Sequence, residues 1–149
     1  MAGLVRGSVV DLTGVTGTNA VGERQLTATT VAVTSTGDTL EAVGMKNRSV
    51  GGTDFGSPPV GQPGVKNGVG LNNVGLLIKT WGRVSYSDNH YVLITDGSGD
   101  PVRIDTTGLT DLPQVGDYLS VTGISSLHRS GKDRFRLILP RSSSDLHKQ

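Results

Sequence analysis

Between residues 71 and 146, short runs of β-branched and apolar residues alternate with turn signals at regular intervals, and this spacing constrains the fold more than any other feature. Leu76–Val84 reads as a long strand with Gly82 inside it, where a strand can bend sharply. Ser87-Asp88-Asn89 is a turn, His90–Thr95 the next strand, and Asp96-Gly97-Ser98-Gly99-Asp100-Pro101 a hairpin turn. Val102–Asp105 pairs back. Thr106–Val115, which holds Leu109, Leu112 and Pro113, is a connection. Asp117–Leu127 and Arg134–Leu139 then form a second hairpin around Ser130-Gly131-Lys132.

Three strands, a crossing segment and two more strands are what a five-stranded OB-type Greek-key barrel needs, so residues 71–149 are expected to be an all-β OB-fold domain. Residues 1–36 carry two further runs, Leu4–Leu12 and Gln25–Thr34, joined by the turn-rich Thr13–Gly22, and read as a β-hairpin. Residues 37–70 are a connector punctuated by Gly51-Gly52, Pro58-Pro59 and Gly61-Gln62-Pro63-Gly64. A structureless segment this long is uncommon inside a compact domain. It is expected to pack along the surface with Val43, Met45, Phe55 and Val60 as anchors.

The chain also echoes itself. Val5-Arg6-Gly7-Ser8-Val9 resembles Val121-Thr122-Gly123-Ile124-Ser125, and Gly22-Glu23-Arg24-Gln25-Leu26 parallels Lys132-Asp133-Arg134-Phe135-Arg136-Leu137. The first 36 residues thus look like the last hairpin of a second, partial OB module, or like a hairpin that matches by chance.

Composition narrows the function. Hydrophobic residues make up 34% and aromatic residues 4%, so the core must rely on β-branched packing. The net charge is +1, without the basic excess of a dedicated nucleic-acid binder, and any such site has to be a local patch. With no cysteine there is no disulfide, thiolate metal site or thiol nucleophile. No apolar run is long enough to span a membrane, and residues 1–15 lack a signal-peptide pattern, so an exported form is expected to be mature or excised.

Residues 76–146 resemble the OB-fold modules of secreted bacterial proteins, including those beside extracellular nuclease and lamin-tail domains. The matching segments are Gly82-Arg83-Val84, the run from Tyr91 to Gly99, and the Gly-Asp-x-x-x-Val-x-Gly step from Gly116 to Gly123. The whole chain is similar to tandem OB-like modules of bacterial surface proteins. That resemblance implies export, an extracellular or cell-surface location and modular assembly, and no particular ligand.

Catalytic and metal chemistry find no support in the sequence. Asp96-Gly97-Ser98-Gly99-Asp100 spaces oxygen donors as a Ca²⁺ loop does, but Pro101 follows and no closing Glu comes; the same residues suit a hairpin turn. His90, His128 and His147 have no ligand at metal spacing. No Gly-x-Ser-x-Gly elbow is present. No enzyme activity, cofactor or metal is therefore expected. Asn47-Arg48-Ser49 fits a glycosylation sequon and reads as coincidental.

Strand alternation lets Leu76, Ile78, Val84, Val92, Ile94, Val102, Ile104, Leu119, Val121, Phe135, Leu137 and Leu139 point inward together. Lys79, Trp81, Arg83, Tyr91, Leu93, Arg103, Tyr118, Arg134 and Arg136 then point outward. Of these, Trp81, Arg83, Tyr91, Leu93, Arg103, Tyr118, Arg134 and Arg136 are the candidate ligand face, with aromatics to stack bases or sugars and cations for phosphate. The competing reading, which is preferred, covers Trp81, Tyr91 and Leu93 with the N-terminal hairpin or the connector, because residues 2–36 must bury Val5, Val9, Leu26 and Val31 somewhere. The expected function is a non-catalytic binding or structural assembly module whose partners are other protein domains or copies of itself, as a repeat or a polymerising subunit. The alternatives are a single-stranded nucleic-acid-binding OB domain accessory to a secreted nuclease, and polysaccharide binding.

Overall fold

A computed structural model of the chain describes residues 3–57 and 61–149. Strands dominate it: β1 (Ser8–Thr18), β2 (Arg24–Thr36), β3 (Val43–Gly44), β4 (Leu77–Ser87), β5 (Tyr91–Thr95), β6 (Val102–Asp105), β7 (Tyr118–Ser130), β8 (Asp133–Leu139) and β9 (Leu146–Lys148). The protein is all-β. Strands β1 and β2 form a separate two-stranded antiparallel sheet, and β3 to β9 form a second sheet in the order β3-β4-β5-β6-β8-β7-β9. Because β4 also pairs with β7, the second sheet closes on itself. All pairings round this ring are antiparallel except β6 with β8.

Two glycines make the closure possible. The first half of β4 pairs with β7 up to Arg83, and from Arg83 onward it pairs with β5. Gly82 sits at that handover, where a Cβ would lie 2.8 Å from the Thr95 backbone. In the same way β7 pairs with β4 up to Ile124 and with β8 from there on. Gly123 marks that handover, and a Cβ there would meet Ile138 and the Leu139 backbone.

The core fills the ring. Ile78, Val84, Val92, Ile94, Val102, Ile104, Leu119, Val121 and Ile138 are almost wholly buried, as expected for all but one of them. Strand β8 corrects the inward set. Arg136 and Ile138 face in, while Phe135, Leu137 and Leu139 face out, Phe135 and Leu139 each 37% exposed. The outward placement of Arg136 is thus reversed, because its guanidinium serves the interior instead of solvent. Leu76 precedes β4 and is 51% exposed, so it too leaves the inward set.

The connector is a plug, anchored differently from the sequence expectation. Val50 is fully buried in the core and Val65 nearly so, with Met45 packed alongside, whereas Val43 and Phe55 are exposed. The expected Val60 anchor and Pro58-Pro59 turn lie outside the described residues. Polar anchors do much of the holding. Asn73 Oδ1 accepts from Gly51 N and the Ser125 hydroxyl, each at 2.8 Å, and its Nδ2 donates to Ser49 O at 2.7 Å. Buried Arg136 donates to Asp100 Oδ2 at 2.9 Å and to the carbonyls of Arg48 and Asn67 at 3.0 and 3.2 Å. It clamps residues 48 and 67 of the connector to β8. Polar anchors are invisible to a search for apolar ones, and hence the missed plug.

The N-terminal hairpin does not cover the closed sheet. Val5, Val9 and Leu26 are 65%, 48% and 44% exposed, which overturns the expectation that they bury against it. The strands extend further than the sequence suggested, since Thr13–Thr18 lies in β1 and the turn spans only 19–23. That turn docks through polar contacts. Glu23 Oε1 accepts from the Ser126 hydroxyl and Leu127 N at 2.5 and 2.7 Å, and Arg134 Nε donates to Val21 O at 2.8 Å. Asn19 Oδ1 braces the turn from within by accepting from Val21 N and Glu23 N.

Candidate functional site

The residues expected on a ligand face separate into two outer surfaces, the hairpin dock and the interior. Strands β5 and β6 set Leu93 opposite Arg103 and Tyr91 opposite Asp105. The Arg103 guanidinium carbon stands 3.7 Å from the Tyr91 ring centroid, a cation–π contact, and Tyr86 stacks on Tyr91 with centroids 5.0 Å apart. Arg103 Nη1 also lies 3.3 Å from His128 Nε2. Burial, and after it the charge of Arg103, holds His128 below its ordinary pKa, which favours the neutral ring whose Nε2 can accept from Arg103. The Tyr86 hydroxyl donates to Asp88 at 2.9 Å, and that bond pushes its pKa up to about 12. This face is self-satisfied: its ring is covered by its own arginine and its imidazole by the same group.

Strands β4 and β7 make the more open surface. Trp81 and Tyr118 are 56% and 53% exposed, Arg83 pairs opposite Tyr118, and Lys79 lies two residues from Trp81 on the same side. A shallow depression between β4 and β7 is lined by Trp81, Tyr118, Ser120 and Gln149. None of the described residues of the hairpin or connector covers this pair, contrary to the preferred sequence reading for Trp81. Arg134 is spent on holding the hairpin turn and Arg136 on the connector clamp.

The hairpin itself is the feature that residue-by-residue reading missed. Its register puts Val10 opposite Val33, Leu12 opposite Val31 and Thr16 opposite Leu26. By strand alternation these side chains share one face, while Val9, Asp11, Thr13 and Val15 of β1, with Thr27 and Thr30 of β2, share the other, more mixed one. Among the described residues nothing covers the first of these faces: Leu12, Leu26 and Val33 are 44–49% exposed. Two bulges hide the pattern, because Thr29 and Thr34 are extra residues in β2 and shift its alternation. Each bulged threonine donates its hydroxyl back to β1, Thr29 to Thr13 O at 3.1 Å and Thr34 to Val9 O at 3.2 Å.

Other motifs resolve into structure. Asp96 accepts from Ser98 N and Asn47 N, the contacts of a braced turn. Asn47 is fully buried, with its amide turned so that Nδ2 donates to Trp81 O and Thr80 Oγ1 and Oδ1 accepts from Asp96 N. Among the described residues no three His, Asp or Glu side chains gather as a metal site would need, and no helix is long and apolar enough to cross a membrane. Comparison of the chain with protein-family models, with curated proteins and with solved structures finds no match.

Proposed function

We propose that this chain is a non-catalytic assembly module, an OB-type Greek-key barrel of residues 71–149 that carries its N-terminal hairpin as a docking arm. The ring order β4-β5-β6-β8-β7 with its parallel β6–β8 contact supports the OB reading. One observation carries the assembly reading: the hairpin has an apolar face that is about half exposed, and among the described residues nothing pairs with the outer edge of β1, whereas β2 is met at Arg24 N by the Gln62 side chain. A lone two-stranded hairpin is marginal in water, and three or more strands with a shared apolar face are needed for independent stability. The Thr/Gly/Ser-rich, cysteine-free composition fits an exported module on a cell surface.

Hydrogen exchange on dilute protein tests this. Amides of β1 and β2 should exchange at least ~100-fold faster than those of β4 and β7, since an uncovered arm opens locally without the ring. Equal protection in the dilute protein would mean that the hairpin needs no partner, and the docking reading would fall.

A second reading is supported by the Trp81–Tyr118 pair. Two exposed aromatics flanked by Lys79 and Arg83 suit a single strand of nucleic acid, by stacking and phosphate neutralisation.

A further inference from the structure

Resting on the assembly reading, we infer that the docking arm's partner is a second copy of this chain, joined edge to edge through β1 across a two-fold axis at Thr13. The two edges of the hairpin are not alike. Strand β2 is blunted by the bulges at Thr29 and Thr34, a device that discourages edge pairing. Strand β1 pairs as a continuous run from Ser8 to Thr18, holds no proline or lysine, and carries Asp11 as its single charge. It is the open edge. The closed sheet of a neighbouring copy ends in β3 and β9, strands of 2 and 3 residues, and so offers no described edge of comparable length, which leaves the neighbour's own β1.

Backbone parity fits this pairing. Val9 O and Thr13 O accept from β2, so the odd positions of β1 direct their polar groups into the hairpin. The even positions Val10, Leu12, Gly14 and Thr16 direct theirs outward. Full overlap of two antiparallel β1 strands sets Val10 opposite Thr16 and Leu12 opposite Gly14 of the other copy, so outward groups meet outward groups. Thr13 meets its own counterpart as a non-hydrogen-bonded pair on the axis. Asp11 falls opposite Val15, so the only charge on the strand avoids its twin. The same parity keeps both apolar faces on one side, and the result is a four-stranded sheet with a shared apolar face, the minimum the lone hairpin lacks.

The test is sedimentation of the intact protein over a wide concentration range, with charge-swapped variants. Wild type should dimerise. Thr13→Lys and Thr13→Glu should each raise the dimer dissociation constant at least ~10-fold by setting like charges face to face, and mixing the two variants should restore the dimer. Thr30→Lys, on the same face but on β2, should leave it intact and controls for hairpin damage. Thr13→Cys in this cysteine-free chain should cross-link to itself under mild oxidation, because a non-hydrogen-bonded pair sets Cα atoms about 4.5 Å apart. A strictly monomeric wild type overturns the inference while leaving the exchange test of the docking arm to stand or fall separately. A dimer indifferent to both charge variants, with no cross-link, overturns the edge pairing but not assembly.

Discussion

Arg136 and Asp100 form an ion pair of 2.9 Å in which the arginine side chain is 2% exposed and the aspartate 47%. The burden therefore rests on one partner. Arg136 also holds three connector carbonyls, so Arg136→Ala would release residues 48, 66 and 67 as well as an ion pair, and should cost about 3–5 kcal/mol in denaturant unfolding. Arg136→Lys should rescue little, because one ammonium cannot span the same fork of acceptors. Asp100→Asn should cost far less. A loss at Arg136→Ala no greater than at Asp100→Asn would show that the connector holds without its clamp.

The closed core should respond as a packed interior. Ile94→Ala and Val121→Ala remove fully buried side chains and should each cost on the order of 2–4 kcal/mol, through lost burial and a residual cavity. Phe135→Ala, on the outer side of β8, should cost well under half of that. Thermal unfolding of the three variants gives the comparison, and a Phe135 loss equal to the others would restore the original facing of β8.

Acid should loosen the tail before the core. Arg141 donates to both carboxylate oxygens of Asp145, at 2.7 and 3.0 Å, and its hydrogen bonds hold the carboxyl below its usual value of 3.8. A group with a depressed folded pKa contributes stability that is present above its unfolded pKa and lost as pH falls through the folded one. Unfolding midpoints should therefore decline below about pH 4. Asp145→Asn should lower the plateau at neutral pH and flatten that decline; an unchanged acid limb would remove the pair from the account.

Nucleic-acid binding has a direct check. In low salt, a fluorescent single-stranded oligonucleotide should bind through the Trp81–Tyr118 surface if that reading holds. Trp81→Ala should weaken binding ~10-fold or more, and Arg83→Ala should reduce the salt slope by roughly one phosphate contact. The absence of any shift with wild type at low salt would dismiss it.

Much of the fold was legible because alternation and turn chemistry act locally. Ile78, Val84, Val92, Ile94, Val102 and Ile104 announce their facing by simple period-two spacing, and Gly82 marks the bend of β4. Strand β8 was misread because it buries an arginine, and a charge on an inward position inverts any assignment based on hydrophobicity. The connector was misread because Asn47, Asn73 and Arg136 hold it by hydrogen bonds made far along the chain. The hairpin's apolar face was hidden by two threonines that belong to neither face, since a bulge leaves no mark in composition. Long-range polar contacts and register slips are properties of the folded chain alone.

Asn47 carries a consequence for anyone producing this protein. Its side chain is fully buried, with the amide bonded to Thr80 and Trp81, beyond the reach of any enzyme acting on the finished fold. In a eukaryotic secretory host, however, the Asn47-Arg48-Ser49 tripeptide would pass the oligosaccharide-transferring machinery while still extended. A sugar attached there cannot be swallowed by the closed sheet, so the Val50 plug would be left outside and the molecule would leave the ribosome's side already committed to a different, looser shape.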